Sequence, residues 1–478
     1  MGLKYFLVTI YVVFTAILFY YFNTTWDVWS SFFLNAVILF GILLYHIFIE
    51  REYSPFITTF IVFTFLFFIV APISQINFLI ESSKIFPNNL PFKKDFTILS
   101  NVIISLFNGV FFISYLFFKK YRPFKKTPSV KDSSLKVLPV TIIVIVILSI
   151  IILFFSYDFV QYEIARPPWV KSSYSKMGRL IWKKVLFMLP FGGILLCFQY
   201  FKKKEKKAIN MLLIAGSVLI LLALLFWFKN PLTEKRNALG PIYLCLLLLF
   251  MPRLINNNTK ILTLLFISMI IIFPFSAIIT HTDLTFQEML KDPRFLIEDS
   301  KGGGIASAFN TLNYDAFANI MATFDYVKEY GFSYGFQLLS AFLFFVPRSI
   351  WVDKPISTGQ LVGEHLMDDY GFSYSNLSNP IISEGYINFG FFGVILMAIG
   401  LALAIIKLLT WLKSDDYLKK IMAFYFAMHL MFLLRGDFTN GFSYFIGTLV
   451  GVIFIPKAIE FSIKQILLRQ YKWKQSKI

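Results

Sequence analysis

The sequence predicts an all-α polytopic membrane protein of about twelve transmembrane helices, and three observations carry that expectation. Hydrophobic side chains occupy 57% of 478 positions and charged ones only 15%, with a mean hydropathy of +0.69, a make-up foreign to soluble domains. Apolar runs of about 20 residues, the length that crosses a hydrocarbon core, recur along the chain. Between them Lys and Arg gather in short clusters in alternate loops, as on the cytoplasmic side of membrane proteins. Helix is the state for such runs, because backbone groups in lipid must bond within their own segment.

The runs fall near residues 5–22, 30–49, 55–74, 97–118, 137–157, 180–201, 208–228, 238–252, 261–280, 387–412, 421–435 and 442–457. The first has the basic flank of a signal peptide in Lys4, but it is long and lacks a small-residue cleavage pattern, so it reads as a retained span. The run at 180–201 carries Lys183 and Lys184 near its start, and those at 238–252 and 421–435 are short. Three regions follow: an N-terminal bundle at 1–280, a long polar loop at 281–386, and C-terminal helices with a basic tail at 387–478.

Orientation comes from the cations. Lys119, Lys120, Arg122, Lys125, Lys126, Lys131 and Lys136 share one loop with only Asp132, and KKKEKK at 202–207 lies two spans later. Both belong inside, and counting outward puts Arg253 with Lys260, Lys413 with Lys419 and Lys420, and both termini on the same side. The net charge of +18 is therefore a basic inner face of a plasma membrane rather than a surface for nucleic acid. The two cysteines, Cys197 and Cys245, lie in predicted spans and suggest neither a disulfide framework nor a thiolate metal site.

The loop at 281–386 falls outside, with thirteen carboxylates against six Lys or Arg, a net of −7. Asp283–Asp299 reads as a short amphipathic helix closed by Lys301 and the glycines 302–304. Phe309, Leu312, Phe317, Ile320, Met321, Phe324 and Val327 recur at helical spacing and predict a helix lying on the membrane surface. Gln337–Trp351 is apolar but too short to span, so it reads as re-entrant or interfacial. The word GFSY occurs at Gly331, Gly371 and Gly441 at irregular spacing, which does not make a repeat.

Three arginines reach the outer face: Arg236 in KRNALGP, Arg348 in VPRSIWVDKP and Arg435 in LLRGDF. Arg236 opens a helix, where free amides and the helix dipole already favour an anion. A guanidinium adds a permanent charge that forks onto two phosphate oxygens. Arginines near helix ends also snorkel to the interface for no catalytic reason, but Arg348 interrupts an apolar run away from any span end. Lys354 follows six residues on, either a second cation for the same anion or a surface lysine. Two residues on that face are candidate bases: Glu384 in IISEGYINFG, just before the tenth run, and His365 in GEHLMDDYG, whose side chain titrates near neutrality. A carboxylate at a helix entry, or a solvated loop histidine, is the plainer reading of each. There is no HExxH, DxD, paired-Cys, Walker or GxGxxG pattern, so neither a metal nor a nucleotide cofactor is expected.

With Arg236, VPRSIWVDKP, SEGYINFGFFG and the long outer loop in place, the chain resembles the Wzy-type O-antigen and capsular oligosaccharide repeat-unit polymerases. The likeness is one of layout throughout and of short motifs from Arg236 to Gly393. One motif of that family is an arginine, ten residues, then a glycine; Arg348 and Gly359 have this spacing, whereas the nearest glycine to Arg236 is Gly240. The resemblance implies a GT-C-like, metal-independent glycosyltransferase with an undecaprenyl-diphosphate-linked oligosaccharide as donor and a second lipid-linked unit as acceptor. It also implies a chain-length regulator and a flippase as partners. On that reading Arg236, Arg348 and Arg435, with Lys354, hold the diphosphate, and Glu384 or His365 takes the acceptor proton. A lipid-linked oligosaccharide flippase and an O-antigen ligase share parts of this layout; a flippase should carry its arginines within the spans, and only a polymerase makes a ladder from one repeat unit.

Overall fold

Apolar runs that must bond their own backbone close into helices, and the computed structural model shows this in the residues it describes. It describes residues 2–121, 137–165, 172–202, 208–230, 234, 236–272 and 309–475. Among these the chain is helical, with no β-strand.

Ten helices are long and apolar enough to cross a membrane, the architecture of a multi-pass membrane protein. Seven precede the long polar loop at 281–386: α1 Gly2–Tyr20, α2 Trp26–Ile49, α3 Pro55–Ser82, α4 Lys94–Tyr121, α5 Leu138–Ala165, α6 Gly178–Phe201 and α7 Ala208–Phe228. Two shorter ones, α8 Arg236–Phe250 and α9 Asn258–Ile267, stand where spans at 238–252 and 261–280 were expected. In the loop lie α10 Ala316–Tyr330, α11 Phe336–Phe342 and α12 Thr358–Tyr370. Then come α13 Ile381–Leu412, α14 Tyr417–Arg435 and α15 Phe438–Gln470. The expected helix at Asp283–Asp299 and the turn at 301–304 lie outside the described residues.

The packing forms two compact units. Unit 1 comprises Met1–Pro123, Met251–Ile406 and Leu430–Phe442; unit 2 comprises Phe124–Phe250, Lys407–His429 and Ser443–Ile478. In unit 1, α3 is buried from 54 to 73 without interruption, as suits a helix that is apolar on every face. Polar side chains in the neighbouring helices pair with one another: Asn35 Nδ2 donates to Asn101 Oδ1 at 2.7 Å, and Ser105 Oγ donates to Asn35 Oδ1 at 2.7 Å. His46 bridges Glu50 at 2.5 Å and Thr58 at 2.8 Å, while Lys119 reaches Glu50 Oε1 at 2.6 Å. Buried charge is retained here because it is paired and hydrogen-bonded.

Unit 2 is built on α5, α6 and α7, which pack on one another. Phe187 stacks on Phe228 with centroids 4.5 Å apart, and Phe159 and Leu224 complete the buried layer. The lysines at the start of α6 are matched: Lys183 lies 3.0 Å from Glu163 and 2.9 Å from Glu234, and Lys184 Nζ donates to Ser443 Oγ at 2.5 Å.

Two expectations for the outer loop are corrected. The apolar face of 309–327 does not lie on a membrane surface: Ala316 to Phe324 are all buried, so α10 is a core helix. Its polar residues find protein partners, Asn319 with Asn88 at 3.0 Å and Ser378 at 2.9 Å, and Thr323 with Asn379 at 3.1 Å. Second, α13 starts six residues before the expected 387, so Glu384 is inside a helix. Its geometry breaks at Phe389 (φ −146°, ψ 23°) and Gly390 (φ 58°, ψ −141°), a left-handed step that glycine makes without a Cβ clash.

Candidate functional site

The segment that leaves α11 carries both expected cations. Lys354 Nζ donates to the carbonyls of Leu343 at 2.8 Å, Phe344 at 3.0 Å and Val346 at 3.0 Å. These follow a helix end, where carbonyls lack intrahelical partners. Burial holds the Lys354 ammonium below its ordinary range, and Arg348 adds to the effect. Arg348 donates to the carbonyls of Lys354 and, at 3.2 Å, Pro355, which fixes the guanidinium while leaving the residue exposed. Ile350 and Val352 beside it are 77% and 75% exposed, so a cation stands next to bare apolar surface. Lys354 thus closes the loop, and Arg348 is the cation of the pair presented outward.

The glycine eleven residues beyond Arg348 has a steric role. A Cβ at Gly359 would come within 2.2 Å of the Leu377 carbonyl oxygen, and one at Gly363, a turn later on α12, within 2.2 Å of that of Ser375. The backbone of 375–379 therefore lies directly on this face of α12. The spacing couples an exposed arginine to the helix that seats the chain leading to Glu384.

Glu384 is fully buried, and no well-aligned hydrogen bond reaches either carboxylate oxygen, although the Thr358 and Asn388 side chains lie close enough to interact with it. The Asp437 carboxylate also stands nearby. Thr358 Oγ1, Ser383 Oγ, Asn388 Oδ1 and Asn379 Nδ2 are likewise buried without a well-aligned hydrogen bond. Buried polar atoms are normally paired, so several such atoms at one place need an explanation.

Three pieces of unit 1 meet around this acid. The start of α12 arrives through Thr358. The turn between α14 and α15 presses on the start of α13, since a Cβ on Gly436 would overlap the Asn379 carbonyl. Phe342 of α11 packs edge-on to Phe438 at 5.8 Å and Phe442 at 5.2 Å. Arg435, at the same turn, donates to the Leu312 carbonyl at 2.7 Å and to Asp315 Oδ1 at 3.0 Å. Burial pushes the Asp315 carboxyl up from its ordinary range while the Arg435 guanidinium opposes the shift.

His365 stands two turns along α12 from Thr358. Its Nε2 lies 3.2 Å from Asp325 Oδ2, and its Nδ1 lies 2.7 Å from Asp369 Oδ2. The rings of Tyr326 and Tyr330 lie 5.8 Å away and that of Tyr370 6.0 Å. Both nitrogens thus face carboxylates. Arg236 opens α8 in unit 2, and its side chain lies outside the described residues. Unit 2 holds a cluster that motif reading missed: Lys229 Nζ donates to the Lys183 carbonyl at 2.6 Å and lies 3.8 Å from Glu234. Lys229 is 1% exposed, and burial holds its ammonium below the usual range. In unit 1 the missed residues are Thr358, Asn379, Asn388 and Asp437; the available signal was polar side chains at the mouths of apolar runs.

Compared with protein-family models, curated proteins and solved structures, the chain matches none of them.

Proposed function

We propose that the chain is a membrane glycosyltransferase that polymerises lipid-linked oligosaccharide repeat units, with Glu384 as the base for the acceptor hydroxyl. The observation that carries this is the Glu384 centre: a wholly buried carboxylate that no well-aligned hydrogen bond reaches, set among the side chains of Thr358, Asn388 and Asp437. Several donors and acceptors gathered around one acid suit a polyhydroxylated ligand. A second support is the exposed Arg348, fixed by its own loop and standing against apolar surface, which suits an anion carried on a lipid.

The chemistry asks for little else. The acceptor oxygen forms its new bond to the anomeric carbon of the donor as that carbon's bond to the diphosphate oxygen breaks, and the electron pair leaves with the diphosphate. The acceptor proton passes to a carboxylate placed to receive it. A fixed guanidinium stabilises the departing charge better than mobile water does. Arg348 is assigned that role, with a polyprenyl diphosphate as the carrier and the plasma membrane as the location. Arg435, engaged with Asp315, positions the turn beside Glu384.

The test is ladder formation from a single purified lipid-linked repeat unit. Glu384→Gln is expected to lower the rate at least about 100-fold, the scale of a lost general base, at unchanged protein abundance. A ladder of wild-type rate and length from Glu384→Gln would refute the assignment. Transfer only to a second, different acceptor would identify a ligase, and movement of substrate without bond formation a transporter.

A further inference from the structure

Helices α10 and α12 pack on each other in unit 1, and each carries two ionisable side chains four residues apart, hence on one face. On α10 these are Asp325 and Glu329; on α12 they are His365 and Asp369. Nδ1 of His365 and one carboxylate oxygen from each of Glu329 and Asp369 lie within 4.8 Å of one another. Nδ1 is 2.7 Å from Asp369 Oδ2 and 3.9 Å from Glu329 Oε2.

The second observation is how the imidazole is held. Its side chain is 1% exposed, and Nε2 lies 3.2 Å from Asp325 Oδ2. With the ring proton on Nε2 donated to Asp325, Nδ1 turns a lone pair towards the other two carboxylates. This nitrogen is buried and makes no aligned hydrogen bond. A lone pair 2.7 Å from a carboxylate oxygen is repulsive unless a proton lies between them or a cation sits beside both. Histidines that ligate metals are held in this way, with a carboxylate on the far nitrogen setting tautomer and ring orientation.

The surroundings favour a dication. Tyr370 donates to Asp325 at 2.6 Å and Lys93 lies 3.7 Å from its other oxygen, so Asp325 has its own partners. Glu329, also reached by the Tyr330 side chain, and Asp369 remain to balance two positive charges. Their side chains are 53% and 43% exposed, so the cluster is open to solvent on the carboxylate side and closed behind the imidazole.

We infer that Glu329, His365 and Asp369 bind a divalent transition-metal cation, with Asp325 orienting His365 from behind. One imidazole nitrogen with two carboxylates suits Zn²⁺ or Mn²⁺ better than the all-oxygen preference of Mg²⁺ or Ca²⁺. The ion clamps α10 to α12, the helix whose first residue, Thr358, stands beside Glu384. The site is independent of the transfer reaction proposed above, because its ligands are not the reacting groups.

The experiment uses full-length protein in detergent, stripped with chelator and titrated with Zn²⁺ and with Mn²⁺ by calorimetry and equilibrium dialysis. One saturable equivalent per chain is expected, together with a rise in the thermal midpoint. Glu329→Gln and Asp369→Asn should each weaken binding at least about 10-fold, and Asp325→Asn should weaken it by about 10- to 100-fold through the imidazole. Glu329 and Asp369 are exposed enough for their variants to fold, and equal metal-free midpoints would confirm it. Absence of a stoichiometric equivalent in the wild type would overturn the inference and leave a protonated imidazole between the carboxylates. Wild-type affinity in both exposed-ligand variants would overturn it equally.

Discussion

At the scale of single residues, the difference between the two cations of VPRSIWVDKP is the instructive case. Spacing placed both near an anion, but Lys354 donates to three carbonyls just past the end of α11, whereas Arg348 stays exposed. Lys354→Met should therefore destabilise the loop by about 1.5–3 kcal/mol, the worth of hydrogen bonds from a charged donor, read as faster proteolysis between 343 and 357. Arg348→Ala should leave that proteolysis slow and reduce polymer formation instead. Proteolysis altered only by Arg348→Ala would reverse the two roles. Arg435 makes a different prediction, since Asp315 is 2% exposed and removal of its guanidinium strands a buried carboxylate. Arg435→Ala should cost about 3–5 kcal/mol, seen as lower folded yield in detergent, and Asp315→Asn added to it should restore much of the loss. No recovery in the double variant would mean that the Leu312 carbonyl contact, not the ion pair, is what matters.

At the scale of elements, what was legible followed from hydrophobic length, and what was missed followed from partners far away in sequence. Eight of the runs, from α1 to α7 and in the last helix, needed only apolar composition to be found, because lipid leaves helix as the one self-satisfied state. The face at 309–327 was seen as helical, yet its location was not. An amphipathic stripe looks the same whether it meets lipid or protein, and the deciding residues, Asn88, Ser378 and Asn379, lie in other segments. The start of α13 was placed late because Glu384 looks unfit for an apolar helix until its burial within unit 1 is seen. Of the site, Arg348 and Glu384 could be singled out from sequence, whereas Asp437 and Thr358 could not, since their proximity to Glu384 comes from tertiary packing. Gly359 shows the limit of a motif: its spacing was visible, its contact with the Leu377 carbonyl was not. Gly359→Ala should force α12 from the 375–379 backbone at a cost of about 1–3 kcal/mol. Alanine at Gly371, where nothing lies within 4 Å of an added Cβ, should instead cost about 1 kcal/mol through its positive φ. Equal and small effects on the thermal midpoint would contradict the close approach.

At the scale of the whole molecule, the assigned functions depend on which face of the membrane the loop occupies, and the cation distribution makes a prediction about it. Clusters at 119–136 and 202–207 place those loops inside and the loop from 281 to 386 outside. Both native cysteines, Cys197 and Cys245, are buried, so the chain already has a quiet background for thiol labelling. Ser349 is exposed next to Arg348, and Ser349→Cys should react with a membrane-impermeant maleimide in intact cells. Ser414→Cys is a poor inner control because Ser414 is 3% exposed; Lys413→Cys, at an exposed position between α13 and α14, should react only after the membrane is opened. The opposite pattern would move Glu384 and Arg348 to the cytoplasmic face, where a lipid-linked sugar awaiting export would be the substrate instead. The orientation therefore decides between two cellular roles for the same buried acid, and a single pair of labelling reactions separates them before any sugar is identified.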